Sequence, residues 1–414
     1  MGSGPCSRPI IFTAMSGSIY FKGFNGVRFI AASAVIVHHL EEYKTVFLLG
    51  REDLWARPFI YQLGRQGVSL FFVLSGFLIT YLLLAEQQRT GRVDIRKFYI
   101  RRILRIWPLY FLTVLTGLFV WPHVRLLQTP TEFLGQIGPG VAHFWTQVAL
   151  YCSIFPNVAV ALYGAAPMVS HTWSIGVEEQ FYLMWPWLIL SPNPKRTLQV
   201  VLSVVVLLAG WFLYERFVVR AVYSSDLNRD SLFGFLAYFL AQFRIGCMAI
   251  GGAGAWLLFR RHPVLPILFR RDVQLGVYAL LGLALIFSLK PTGFNYEFYA
   301  LFFCFAILNL AGNPHSLLKL DNPLTRFMGD ISYGLYMYHP LVLTLLLNLF
   351  IRTWPTSLVA NGQVNSALTA ALYTTTFGLT TLLAWLSYRF FEQPFLRLKD
   401  RFAVVASSRR APVH

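Results

Sequence analysis

The arrangement of apolar and polar positions along the chain is the first guide to its fold. Apolar runs near the roughly 20 residues a helix needs to cross the hydrocarbon core of a bilayer recur at 24–43, 67–85, 103–121, 174–192, 198–214, 236–258, 273–289, 296–311, 331–351 and 369–389. Each predicts a spanning helix, so the expected fold is all-α, a polytopic bundle of about ten transmembrane helices. The polar connections test that count. Basic residues gather in alternate ones: Arg89, Arg92, Arg96, Lys97, Arg101 and Arg102 in the second, Lys195 and Arg196 in the fourth. Arg260, Arg261, Arg270 and Arg271 follow in the sixth, then Lys319 and Arg326 in the eighth. The intervening connections are mixed in sign; the first sets Lys44, Arg51, Arg57 and Arg65 against Glu41, Glu42, Glu52 and Asp53. By the positive-inside rule both termini then face the cytoplasm. The stretch 142–156 is apolar but too short to cross, and is expected as a re-entrant or interfacial segment on the outer side.

Composition agrees. With 56% of 414 residues hydrophobic and only 13% charged, too little polar material remains to coat a water-soluble globule. The net charge of +17 would suggest nucleic-acid binding in a soluble protein. Here it is spent in short blocks between spans, so no nucleic-acid partner is expected. Cys6, Cys152, Cys247 and Cys304 have no paired spacing, which argues against a disulfide framework or a zinc site. The first apolar stretch of adequate length begins near Phe24 without a small-residue cleavage site after it, so it is expected to stay as a span. The expected organisation is a short cytoplasmic segment at 1–22, one transmembrane domain at 23–398 and a basic cytoplasmic tail at 399–414. No solenoid-type repeat is visible.

The chemistry lies inside the apolar segments. In FNGVRFIAASAVIVHHLEEY, Arg28 and His39 are eleven residues apart, three helical turns, so they share one face about 16 Å apart. Charged and titratable groups at that depth face a cavity or a partner; the alternative is that Arg28 snorkels and His39 caps the outer end. His38 is rotated off that line by about 80°. HTWSIGVEEQFYLMWP places Glu178 and Glu179 near the outer end of the fourth span. One of them, with Glu178 favoured, could hold the tautomer of His39 and stabilise its imidazolium; interfacial exposure is the other reading, preferred for Glu179. Arg101, Arg102 and Arg105 in FYIRRILRIWPLYF could bind phosphates on the cytoplasmic side, although topology and lipid headgroups explain them as well. Ser75 and Gly76 sit mid-span, where small residues permit close helix approach. GDISYGLYMYHPLVL contributes Tyr333, Tyr336 and His339, either a helix–helix hydrogen-bond network or, with Ser75, a candidate substrate path. The sequence has no G-x-S-x-G elbow, no phosphate loop with Lys-Ser/Thr and no H-E-x-x-H, and no metal is expected.

Taken in order, Arg28 with His39, GVSLFFVLSGFLI, FYIRRILRIWPLY, HTWSIGVEEQFYLMWP, ISYGLYMYHP and SYRFFEQPF resemble the acyltransferase-3 family of membrane acyltransferases. Its members include bacterial O-acetylases of peptidoglycan, lipopolysaccharide and exopolysaccharide. The resemblance covers roughly residues 20 to 398. It implies ten core helices, an acyl-CoA donor with acetyl-CoA as the default, and an essential arginine and histidine in the first helix, here Arg28 and His39. It further implies a bacterial inner-membrane location, a glycan or lipid-linked saccharide acceptor, and contact with lipids and polysaccharide-assembly partners. Some members append an extracytoplasmic hydrolase-like domain; this chain is expected to pass the acyl group directly to its acceptor or to a separate partner. The alternatives are acylation of a small molecule such as a macrolide, or, in another class, a transporter or flippase. Against the latter, the hydropathy shows no inverted repeat.

Overall fold

A computed structural model describes residues 18–47, 58–129, 141–189 without 167, 243–291, 295–353 and 366–404, with short pieces elsewhere. A helix lies over every predicted span except 198–214, of which only residues 203 and 210 are described. The first three are α1 (Phe24–Val46), α2 (Pro58–Thr90) and α3 (Ile95–Phe119). Two short helices follow, α4 (Phe144–Cys152) and α5 (Pro156–Tyr163), then α6 (Trp173–Ile189) and α7 (Ile245–Phe259). The chain continues through α8 (Arg271–Ile286), α9 (Asn295–Gly312), α10 (Pro323–Asp330) and α11 (Ser332–Thr353). It ends in α12 (Ser366–Leu386), which runs through a π-helical turn at Ser387–Glu392 into α13 (Gln393–Asp400).

Among the described residues, four helical stretches are long and apolar enough to cross a membrane: Phe59–Thr90, Ile95–His123, Ser332–Thr353 and Ala367–Asp400. α1 has 23 residues, but Arg28, Glu41, Glu42 and Lys44 dilute its apolar character. α6, α7 and α8 are described over 17, 15 and 16 residues, short of a full crossing. The outer surface of the bundle is apolar. Phe390, Ile286 and Trp187 are 72%, 69% and 63% exposed, which suits hydrocarbon and not water. Over 142–156 the chain forms α4 and the start of α5, nine and eight residues long, each shorter than a crossing needs, with Ile154 between them at φ 63°.

The centre is built on α2, which packs between α1 and α7. Small residues allow the close approach. A Cβ on Gly76 would collide with the Met248 carbonyl, and one on Gly251 with the Val73 carbonyl. At the start of α1 the chain turns through Gly23 in a left-handed conformation, φ 83°. Just before it, Tyr20 donates its hydroxyl to Asp321 (2.8 Å), which is also forked by Arg326 (2.8 and 3.0 Å). The hydrogen-bonded Arg326 guanidinium, assisted by Tyr20, holds the Asp321 carboxyl below the usual carboxylate range. Asn322 and Thr325 cap α10 reciprocally. The only extended pairings among the described residues are two residues long; one sets Ser18–Ile19 beside Ala406–Ser407, so both ends of the described chain lie at one end of the bundle.

Candidate active site

α1 carries Arg28 into the bundle. Its Nη1 donates to Asn25 Oδ1 (2.6 Å), and Asn25 Nδ2 donates in turn to Asp330 Oδ1 (3.1 Å). The guanidinium also lines a cavity of about 150 Å³ together with Ser75, Arg102, Arg105, Glu178, Tyr333 and Tyr336. That volume is of the size that holds a benzene-sized molecule, and its lining mixes charged with apolar groups. Two smaller recesses adjoin. One, of about 60 Å³, shares Arg28 and Arg105 and adds Asn25 and Asp330. The other, of about 30 Å³, brings Arg101, Arg102 and Arg105 together with Lys399. Arg105 borders all three.

The three arginines are not equivalent. Arg101 is paired with buried Glu86 (3.0 Å) and donates to the Phe402 carbonyl (2.9 Å), so its fork is already engaged. Arg102 lies over the rings of Phe98 and Tyr182, and its Nε has no hydrogen-bond partner among the described residues. It is the one with an unspent donor directed into the protein.

Glu178 does not orient His39. Its Oε1 accepts the Ser75 hydroxyl at 2.6 Å, within the cavity, and makes no hydrogen bond to His39. α6 therefore meets α2 at this level, not the C-terminal end of α1. Glu179, expected at the interface, accepts from Trp107 Nε1 (3.2 Å). The carboxylate nearest His39 belongs to the next turn of α1: Glu42 Oε2 is 3.8 Å from His39 Nε2.

What bonds to His39 is another histidine. His339 Nε2 lies 2.9 Å from His39 Nδ1, with the rings 4.9 Å apart and nearly parallel. His339 is fully buried, and its Nδ1 sits 2.7 Å from the Tyr336 carbonyl. Tyr336 lines the cavity and anchors its hydroxyl between Ser174 Oγ (2.8 Å) and the His171 carbonyl (2.7 Å). Tyr333 donates to the Ile106 carbonyl (2.9 Å). α11 thus connects the cavity wall to the histidine pair within one turn. His38 turns away, its Nδ1 3.3 Å from the Ile60 carbonyl, in space that Gly64 leaves open.

The match with known proteins now has a physical setting. A family model described as an acyltransferase domain matches residues 21–389. The chain belongs to the acyltransferase-3 family. It is similar to peptidoglycan O-acetyltransferase OatA of Listeria monocytogenes, 28% identical over 91% of this chain and 56% of that one. It is also similar to O-acetyltransferase OatA of Staphylococcus aureus, 26% identical over 91% of this chain and 57% of that one. A putative O-acetyltransferase of the same species is 25% identical over 93% of this chain and 58% of its own length. The chain spans little more than half the length of these curated relatives. No solved structure matches it.

In this family member the sequence missed two things. Tyr182 lines the cavity beside Glu178, a place that nothing in its apolar surroundings along the chain announces. The His39–His339 contact joins residues 300 apart in the chain, and helical phase within one segment carries no information on that pairing.

Proposed function

We propose that the protein is a membrane O-acyltransferase, most simply an O-acetyltransferase, moving an acyl group from cytoplasmic acyl-CoA to a hydroxyl of a cell-envelope or exported glycan. The observation that carries this reading is the arrangement on α1: Arg28 borders a cavity flanked by arginines, and three turns further on the same helix presents His39. In this reading residues 23–398 form one domain of ten spans in the bacterial inner membrane, with 1–22 and 399–414 in the cytoplasm. The coenzyme phosphates meet Arg102 and Arg105, with Arg101 held back by Glu86; guanidinium forks suit phosphate oxygens. The acyl-bearing arm extends past Arg28, Ser75 and Glu178 toward Tyr333 and Tyr336. His39 takes the proton of the acceptor hydroxyl as that oxygen attacks the thioester carbonyl. The O–C bond forms, the C–S bond breaks, and the coenzyme leaves as a thiolate that recovers a proton.

The relatives bearing the name O-acetyltransferase favour acetyl as the group and an oxygen as its acceptor. The test is isotope transfer from labelled acetyl-CoA by the purified protein, paired with mass spectrometry of the host's envelope polysaccharides with and without it. The expected result is consumption of the thioester and loss of an acetyl increment in the host lacking the protein. Label crossing the membrane with the thioester intact would instead mark a transporter.

A further inference from the structure

The histidine pair has a direction, and the cause is a proline. In an α-helix the carbonyl of residue 336 accepts the N–H of residue 340. Position 340 is Pro340, inside α11, which has no N–H to give. The Tyr336 carbonyl is left open at that bond, and His339 Nδ1 occupies it at 2.7 Å. A carbonyl oxygen can only accept, so Nδ1 of His339 carries the hydrogen. In a neutral imidazole the other nitrogen is then bare. His339 Nε2 therefore accepts, and the hydrogen at the 2.9 Å contact belongs to His39 Nδ1. That leaves His39 Nε2 with a free lone pair, 3.8 Å from Glu42 Oε2.

We propose that His339, held by the Tyr336 carbonyl that Pro340 leaves open, fixes the tautomer of His39 and makes His39 Nε2 the atom that takes the acceptor's proton. The inference rests on the proposed role of His39 as the base. His339 is a positioning residue: its own Nδ1 hydrogen stays on the Tyr336 carbonyl, and no proton passes through it. When the acceptor hydroxyl gives its proton to Nε2, the imidazolium keeps Nδ1–H on His339 and develops its charge beside the Glu42 carboxylate. A carboxylate does this orienting in many hydrolases. A neutral histidine supplies the same acceptor here without burying a further charge at the 0% exposed position of residue 339.

The test combines nitrogen-15 NMR with kinetics on the full chain in detergent, with histidine labelled. The nine histidines are resolved by difference against His39→Asn. In the wild type at mildly alkaline pH, His39 should appear with Nδ1 protonated and Nε2 bare. His339→Leu should remove an acceptor at Nδ1, raise the share of His39 protonated at Nε2, and lower kcat by on the order of 10²-fold, with KM for acetyl-CoA unchanged. His339→Gln, whose side-chain carbonyl can accept from Nδ1–H, should restore most of that loss. Pro340→Ala, which returns a competing N–H to the Tyr336 carbonyl, should move kcat the same way by less. A wild-type His39 protonated at Nε2, or wild-type kcat in His339→Leu, overturns the proposal. The NMR result stands apart from activity: if the wild type moves no acetyl group, the acyltransferase reading falls while the tautomer is still decided.

Discussion

At the scale of single residues, burial separates groups that the sequence leaves equivalent. Arg101, Arg102 and Arg105 look alike in a basic block, yet Arg101 already spends its fork on Glu86 and Phe402. Removing the Arg102 or Arg105 side chain should therefore raise KM for acetyl-CoA, whereas Arg101→Ala should chiefly destabilise by stranding buried Glu86. Michaelis constants and thermal midpoints of the three variants separate those effects. His39→Ala and Arg28→Ala should each abolish transfer, and immunoblots of membrane fractions should show the protein still present at normal levels. Near wild-type turnover in purified His39→Ala would remove it as the base. Glu178→Gln keeps the size of the side chain and the acceptor for Ser75, so a loss of more than about 10-fold in kcat would show that its charge, and not only its hydrogen bond, is used.

Elements answer to different forces. α2 and α7 meet where Gly76 and Gly251 let one backbone touch the other, and the cavity wall beside Ser75 depends on that contact. Gly76→Val should cost at least about 1–3 kcal/mol through overpacking, read as a lower thermal midpoint and poor yield. The entry to α1 is pinned by the Tyr20–Asp321–Arg326 cluster. Because the Arg326 hydrogen bond depresses the Asp321 pKa, the stability it contributes is present above the ordinary carboxylate value and is lost as pH falls through the depressed one. Hydrogen exchange over 18–28 should accelerate below about pH 4, and Asp321→Asn should remove that acid dependence. That 142–156 holds no helix long enough to cross was accessible from length alone, since fewer than about 20 apolar residues do not span. Its division into α4 and α5 came from the left-handed Ile154, which no local pattern announces.

Over the whole molecule, orientation is the open quantity that experiment can read. With Ser18–Ile19 beside Ala406–Ser407, the two ends share a side. Single cysteines placed at 18 and 406 in a cysteine-free background should both resist an impermeant thiol reagent applied to intact cells, while one at Glu42 should react. Labelling at 18 and 406 with protection at 42 would invert the bundle and the proposed direction of acyl transfer. The sequence by itself determined the membrane class, where most of the described helices fall, and the shared face of Arg28 and His39. These follow from segment length and a 3.6-residue period, which are local properties. Only the tertiary structure decided the partners. It moved Glu178 onto Ser75, set Glu42 nearest to His39 Nε2, and brought His339 to its Nδ1. Which helices become neighbours depends on how side chains and glycines pack over hundreds of residues. A period within one helix fixes the direction a residue points, and packing alone fixes what it meets there.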